Sequence, residues 1–391
     1  MAEKNLDFDS VIERTNTYSI KYDAINQRGM QSDVLPLWVA DMDFKTSSFV
    51  QEALKRQVEH GVFGYSDMEK EYFKAVSKWM KEHYNWKISE QWLIKVPGIV
   101  MALAIAVKAF TAQGEGVLIQ QPVYHPFYNV ISDNGRKVVS STLYLGEDNR
   151  YHIDFEDFEN KIIEEKIKLF FLCNPHNPVG RVWSKDELIR MGDICIKHDV
   201  LIVSDEIHAD FIFQGEHCVF ADLKKEFEEN TITCTSPSKT FNLAGLQVSN
   251  ILIANPKIRK LFSEQVEAIG YGHLTVMGLI AGKVAYEQGE VWYQKMHEYV
   301  KDNIEYTKTF VGENIENVEV MHHEGTYLLW MDFRKLGLSA SELDDLLIDK
   351  ARVWLNNGKI FGESGVGFQR INVACPRVVL AEALNRIKEA I

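Results

Sequence analysis

The sequence has few cysteines, and none of them are spaced as a C-x-x-C pair. The five cysteines are an odd number scattered between positions 173 and 375. This pattern indicates neither a disulfide framework nor a zinc site, and a reduced cytosolic setting fits it better. No apolar run reaches about 18 residues, the length that would predict a membrane span. Residues 1–9 are polar and acidic, unlike a secretory signal. We therefore expect a cytoplasmic protein with no membrane partner.

The sequence also lacks a cluster of lysines and arginines. Its 43 basic residues are outnumbered by 56 acidic ones, which gives a formal net charge of −13 at pH 7. This balance argues against a nucleic-acid partner. Hydrophobic residues make up 46% of the chain and charged residues 25%, as in an ordinary soluble globular protein with an ample core.

Short apolar stretches alternate with longer amphipathic ones in the middle of the chain. The stretches predicted as strands are 117–120, 138–143, 168–173, 200–204, 231–235 and 250–254. The helices predicted between them include 98–111, 126–133, 185–198 and 256–268. This alternation predicts an α/β fold whose largely parallel sheet is covered by helices on both faces. Ligands of such sheets bind beyond the carboxyl ends of the strands, so site residues should come directly after strands.

The last hundred residues have a different pattern. A long charged helix at about 290–313 precedes strand-like stretches at 318–321 and 325–333, and then helices at 339–352 and 376–391. We predict a smaller α+β C-terminal domain at 289–391, joined by an N-terminal arm at 1–45. The large domain then covers 46–288. No linker rich in Gly, Ser or Pro separates these parts, so we expect them to pack closely.

A lysine follows the predicted strand 231–235 and lies between two hydroxyl groups and an apolar turn. Residues 236–246 read Ser-Pro-Ser-Lys-Thr-Phe-Asn-Leu-Ala-Gly-Leu, with Lys239 as the lysine. A desolvated amine can lose its proton near neutral pH and act as a Schiff-base nucleophile. Ser236 and Ser238 could hydrogen-bond a phosphate. Together these features suggest pyridoxal 5′-phosphate (PLP), and the alternative is a surface lysine in a polar turn.

Two further motifs follow predicted strands. Asn177 lies in a turn with two Asn-Pro pairs and could donate to a ring oxygen, unless the turn is purely structural. Asp205 could pair with a pyridine nitrogen, and His208 could reach the same face of a cofactor. The alternative is a solvated acidic loop. A metal site is the weaker interpretation, because no third ligand with matching spacing is present.

The remaining parts of a PLP site also have candidates. Gly98 opens a helix whose free backbone N–H groups suit a phosphate, unless it is only a helix start. Tyr124 follows the strand 117–120 and would bring an aromatic face to the site, unless it packs in the core. Each motif supplies a different part of one site, so their joint occurrence favours PLP over the separate structural alternatives.

A family resemblance rests on these motifs and on others near both ends of the chain. The segments that carry it are 37–44, 63–65, 174–180, 205–208, 236–246 and 370–377. They resemble fold-type I PLP enzymes of the aspartate aminotransferase superfamily, and they are closely similar to the MalY/PatB group of cystathionine β-lyases. The resemblance covers nearly the whole chain. It implies a large domain with a mostly parallel seven-stranded sheet between helices, a smaller α+β domain, and a homodimer with active sites at the subunit interface.

The resemblance implies how the cofactor is held. Lys239 would bind PLP covalently and later move the Cα proton, and Asp205 would pair with the pyridine nitrogen. Asn177, helped by His208, would contact the ring oxygen, and Tyr124 would stack on the ring. The residues implied for the phosphate are Ser236, Ser238 and the backbone amides of Ile99 and Val100.

The resemblance also implies how the substrate is held. Arg370 would clamp the substrate α-carboxylate, with help from Asn177 and the Ala40 backbone, and Tyr65 would reach in from a partner subunit as a catalytic residue. Many aminotransferases carry a phosphate-binding arginine where this chain has Gln247. That departure supports a lyase, and it weakens any transfer of phosphate contacts from transaminases.

The implied reaction is α,β-elimination. A cysteine thioether such as L-cystathionine would give a thiol, here homocysteine, together with pyruvate and ammonia. Two alternatives are an aminotransferase on the same scaffold and a lyase with a second, regulatory protein-binding role. Cystathionine, cysteine, cystine and other S-conjugates all stay open as the physiological substrate.

Overall fold

The structure is a computed structural model that describes residues 6–391. Its strands are β1 Leu35–Pro36, β2 Leu93–Val96, β3 Gly116–Ile119, β4 Lys137–Ser140, β5 Tyr144–Leu145, β6 Tyr151–His152, β7 Leu169–Cys173, β8 Leu201–Asp205, β9 Thr231–Thr235, β10 Ser249–Leu252, β11 Glu319–Val320, β12 Leu328–Asp332, β13 Val353–Trp354, β14 Asn356–Asn357 and β15 Phe368–Asn372. Its α-helices are α1 Ile20–Gln27, α2 Ser48–His60, α3 Glu69–Tyr84, α4 Ile99–Phe110, α5 His125–Asp133, α6 Phe155–Glu164, α7 Lys185–Lys197, α8 Lys225–Glu228, α9 Pro237–Thr240, α10 Pro256–Ala268, α11 Val276–Gln288, α12 Glu290–Asn314, α13 Ala340–Asp344 and α14 Arg377–Ala390.

A seven-stranded sheet forms the centre of the larger part of the molecule. Its strand order is β2-β10-β9-β8-β7-β3-β4. The strands β9, β8, β7, β3 and β4 are parallel to one another, whereas β10 runs antiparallel to both β9 and β2. The prediction of a mostly parallel seven-stranded sheet is therefore confirmed. The strand β2 was not identified from the sequence, and the predicted strand 138–143 ends earlier, at Ser140.

Both faces of this sheet are buried under helices. Every residue of β3, β7, β8 and β9 is buried. In β7, Phe171 packs with α4, α5 and α10 on one face, while Phe170 and Leu172 pack with α6 and α7 on the other. Two buried faces require continuous apolar strands rather than alternating ones, which explains the short apolar runs in the sequence.

A second, smaller sheet lies in the C-terminal part of the chain. Its order is β11-β12-β15-β14, and all of its pairings are antiparallel. The N-terminal segment reaches this part through β1, which pairs in parallel with β13. One hydrophobic cluster contains both Phe241 from the larger part and Leu329 from β12, so the two parts pack directly against each other. The domain boundaries near residues 45 and 288 stay a prediction.

No helix among residues 6–391 is both long enough and apolar enough to cross a membrane. The same residues contain no group of three or more His, Cys, Asp or Glu side chains arranged to hold a metal ion.

Candidate active site

A cavity of about 170 Å³ lies where the carboxyl ends of β7, β8 and β9 meet the start of α4. The predicted site residues on its wall are Ala40, Ile99, Val100, Tyr124, Asn177, Asp205, His208, Ser238 and Lys239. These residues are far apart in the sequence. The sheet brings them together because the carboxyl ends of its parallel strands all lie at one edge.

Lys239 lies in the short helix α9, directly after β9. Its Nζ donates a hydrogen bond to the backbone carbonyl of Ala40 at 2.6 Å. Desolvation lowers the pKa of this amine to about 8; nearby Asp41 and Asp205 oppose that shift, while Arg370 adds to it. An amine with this pKa is neutral in a substantial fraction of molecules near pH 7–8, as a nucleophile or a general base requires.

The cavity has an anion-binding side formed by backbone and hydroxyl groups. Gly98 is the N-cap of α4 and supplies no side-chain cap, so the amides of Ile99 and Val100 in the first turn have no capping partner. Free N–H groups at a helix N-terminus attract a phosphate. Ser238 lies on the same wall. The Ser236 hydroxyl instead donates to Val248 O and accepts from Ser238 N, which shapes the turn around Lys239.

Asp205 is the last residue of β8 and is buried. Its Oδ1 accepts a hydrogen bond from the backbone N–H of Ile207 at 3.2 Å. Burial raises the pKa of this carboxyl to about 7, and Lys239 partly opposes the shift. A buried carboxyl at the base of a cavity is suited to pair with a protonated ring nitrogen, because the added positive charge would favour its ionised form.

Arg370 is a buried cation without a carboxylate partner in the described part of the chain. It is 3% exposed, and its two Nη atoms donate to Asn177 Oδ1 at 2.8 Å and to Trp38 O at 3.0 Å. Its Nε has no hydrogen-bond partner among residues 6–391. Burial lowers the pKa of this guanidinium to about 10, so it stays charged at neutral pH. A charged fork of this kind is suited to bind a carboxylate from the substrate.

The remaining predicted residues differ in their placement. His208 is buried, burial holds its pKa well below the usual value, and its Nδ1 has no partner among the described residues. Tyr124 lies on the cavity wall, and burial raises its pKa to about 12. Tyr65 is 99% exposed, and its ring lies near His273 rather than on the cavity wall. Within one chain the structure therefore does not bring Tyr65 to the site.

Tyr327 belongs to the site environment but was not identified from the sequence. It is fully buried, and its hydroxyl donates to Ala40 O at 2.8 Å. It comes immediately before β12, whereas the strand-end rule points to residues that follow strands. Cys173, the last residue of β7, was also missed, although its position at a strand end could have revealed it.

The arrangement fits PLP on several separate grounds. Lys239 offers a partly neutral amine, Asp205 a buried acid for the ring nitrogen, and α4 a set of uncapped amides for the phosphate. The buried and unpaired Nδ1 of His208 is a further polar atom suited to a ring substituent. Asn177 and Arg370 together offer a place for the carboxylate of an amino-acid substrate.

Comparisons with known proteins agree with this geometry. Residues 32–387 match the family described as aminotransferase class I and II. The chain is 40% identical to cystathionine β-lyase PatB of Bacillus subtilis, over 99% of this chain and 100% of that protein. A PLP-bound candidate aminotransferase from Clostridium difficile 630 superposes with a TM-score of 0.96 at 44% identity, covering 99% of this chain and 100% of that one. A PLP-bound C–S lyase from Staphylococcus hominis superposes with a TM-score of 0.91 at 33% identity, covering 99% and 98%.

Proposed function

Because this chain belongs to the class I and II aminotransferase family and is closely similar to its cystathionine β-lyases, we propose that it is a PLP-dependent C–S β-lyase. The reaction is α,β-elimination of L-cystathionine or a related cysteine S-conjugate. The observation that carries this proposal is the 40% identity to a cystathionine β-lyase over essentially the full length of both chains. The cavity supports it, because Lys239 and Asp205 lie on its wall and Arg370 donates to Asn177, another residue of that wall.

The residues of the cavity divide the work of this reaction. When bound, PLP supplies an electron sink for negative charge at the substrate Cα. Arg370 and Asn177 bind and orient the α-carboxylate, and Asp205 holds a proton at the ring nitrogen. Lys239 in its neutral form takes the proton from Cα. The start of α4 and Ser238 would hold the phosphate, and Ser236 would contribute by shaping the turn that carries Ser238.

Charge at Cα decides which carbon–sulfur bond breaks. The electron pair left on Cα can expel only a substituent on the neighbouring Cβ, so the Cβ–S bond breaks and the thiol leaves. With L-cystathionine the thiol is homocysteine. Uptake of one water then releases the remaining three carbons as pyruvate and the nitrogen as ammonia.

The subunit arrangement and location are parts of the same proposal. The protein is a cytoplasmic homodimer in which Tyr65 enters the partner subunit's cavity as a catalytic residue. Two observations support a subunit interface at Tyr65: this side chain is 99% exposed, and Val62 and Phe63 beside it are also exposed. An exposed cluster of large apolar side chains is typical of an interaction surface.

The test is pyruvate formation without an added keto acid. The PLP-loaded protein is incubated with L-cystathionine, and pyruvate and homocysteine are measured over time, with Lys239→Ala as the inactive control. We expect equal amounts of both products from the wild type and none from the variant. Amino-group transfer that requires a keto acid, with no pyruvate in its absence, would identify an aminotransferase and refute the lyase.

A further inference from the structure

Six of the seven backbone carbonyls of residues 38–44 are held by side chains from distant parts of the chain. This segment has no regular secondary structure. Its carbonyl acceptors and their side-chain donors are Trp38 with Arg370 and Asn356, Val39 and Asp41 with Asn372, Ala40 with Lys239 and Tyr327, Met42 with Asn242 and Arg14, and Phe44 with Asn242. The donors replace the strand ladder that would normally satisfy these buried groups.

Ala40 differs from its neighbours because its carbonyl accepts the amine of the cofactor lysine. The two donors to this oxygen are Lys239 Nζ at 2.6 Å and the Tyr327 hydroxyl at 2.8 Å. A carbonyl oxygen has two lone pairs, so both donors can bind at once. The phenol therefore fixes the acceptor on one side while the amine binds on the other.

The Tyr327 ring is itself held in place. It is fully buried, and its neighbours Phe211 and His208 contact it edge-on, with ring centroids 4.8 Å and 5.7 Å away. A buried ring between two aromatic neighbours has few alternative orientations. Its hydroxyl is consequently a fixed donor, unlike the long and flexible lysine on the same carbonyl.

We propose that Tyr327 is a positioning residue for Lys239. The Tyr327 hydroxyl fixes the Ala40 carbonyl, so that this carbonyl holds the free lysine amine facing the cofactor cavity. The inference rests on the proposed role of Lys239 in binding PLP. It concerns the amine when it is not bonded to the cofactor, which is the form that must attack the incoming aldehyde.

The charge on the Lys239 amine also depends on this carbonyl. The charged groups that face the amine are Asp41, Asp205 and Arg370. The carbonyl adds to their effect, since an acceptor held beside an ammonium group stabilises its charged form. Removing the Tyr327 hydroxyl frees the carbonyl to shift, so the ammonium is held less well and its pKa falls.

The experiment measures covalent attachment of PLP to the apoprotein rather than turnover. The rate of attachment is followed from pH 6 to 10 by the absorbance of the lysine-bound cofactor, for the wild type and for Tyr327→Phe. The matched control is Tyr293→Phe, because the Tyr293 hydroxyl also donates to a backbone carbonyl, Asp210 O, at 2.7 Å. Since the neutral amine reacts, the rate rises through the pKa of Lys239 to a plateau.

For Tyr327→Phe we expect a plateau about three- to tenfold lower, because the amine is less well oriented. We also expect a midpoint about half a pH unit lower, because the ammonium is less stabilised. Tyr293→Phe should match the wild type. An unchanged plateau or an unchanged or higher midpoint in Tyr327→Phe would overturn the positioning role. Wild-type protein that fails to attach PLP would instead overturn the proposed function.

A second variant covers the case in which Tyr327→Phe does not fold, as judged by its thermal unfolding midpoint. Asn372 donates to Val39 O at 2.7 Å and to Asp41 O at 2.6 Å, on either side of Ala40. Asn372→Ser removes these two flanking contacts, so the Ala40 carbonyl between them is held less well while Tyr327 stays intact. It should lower the plateau as well, and wild-type attachment kinetics in this variant would contradict the inference.

Discussion

Replacing Arg370 by alanine should weaken the use of any α-carboxylate substrate. The guanidinium is 3% exposed and carries no carboxylate partner in residues 6–391, so its charge is available to the substrate. Removing one partner of a buried charge pair costs about 2–5 kcal/mol, because the other charge stays buried and unpaired. At about 1.4 kcal/mol for each factor of ten, the expected loss in kcat/KM is about 30-fold to 4,000-fold.

Steady-state kinetics with L-cystathionine distinguishes binding from chemistry in this variant. The carboxylate contact exists before and during the reaction, so KM should rise more than kcat falls. Arg370→Lys keeps the charge but loses the two-pronged geometry, and its loss should be smaller. The control is Arg334→Ala, because that arginine has a 51% exposed side chain and pairs with Asp332 on the same small sheet. A KM for Arg370→Ala within about threefold of the wild type would refute the assignment.

Two further changes test burial of charge near the site. Burial raises the Asp205 pKa from 3.8 to about 7. The contribution of this carboxyl to the free energy of unfolding is therefore fully present below about pH 4 and is lost as the pH rises through 7. The Asp205→Asn apoprotein should therefore unfold at a higher temperature than the wild type at pH 8, with the gap closing towards pH 4; a gap independent of pH would contradict this. Lys21 is fully buried, and its Nζ lies 2.7 Å from a carboxylate oxygen of Asp43. Lys21→Met should therefore lower the free energy of unfolding by about 3 kcal/mol. This value is at the low end of the range for breaking a buried ion pair, because Asp43 keeps a second partner, Arg14, at 2.6 Å. In urea titrations the exposed control Lys55→Met should lose less than about 1 kcal/mol, and equal losses in both variants would show that the buried pair has no special role.

The sheet was predictable from the sequence because its central strands are buried on both faces. Such strands must be short, continuous and apolar, and β7, β8 and β9 stand out for that reason. The strand β2, Leu93–Val96, lies at the sheet edge and carries Lys95, and most of its residues are only half-buried. Edge strands lack the continuous apolar pattern, so this one could not be recognised in the same way.

The same reasoning explains which site residues the sequence revealed. Asp205 is the last residue of a buried strand and Lys239 follows another, so the strand-end rule finds them. Tyr327 precedes its strand, and it reaches Ala40 on the cavity wall only because the smaller sheet packs against the larger part. Tyr65 is a different case, since its predicted role needs a second subunit and one chain places it in solvent.

The segment at residues 38–44 shows why some functional contacts leave little trace in their own sequence. The atom of Ala40 that meets Lys239 is a backbone oxygen, which every residue type possesses. The contact therefore depends on the groups that fix the segment rather than on the side chain of Ala40. The fixing groups are the side chains of Arg14, Lys21, Asn242, Tyr327, Arg370 and Asn372, which lie in widely separated parts of the chain. Asp41 and Asp43 carry the ion pairs to the N-terminal residues, so the two acids of the Asp-Met-Asp triplet are the part of the segment whose identity the structure demands.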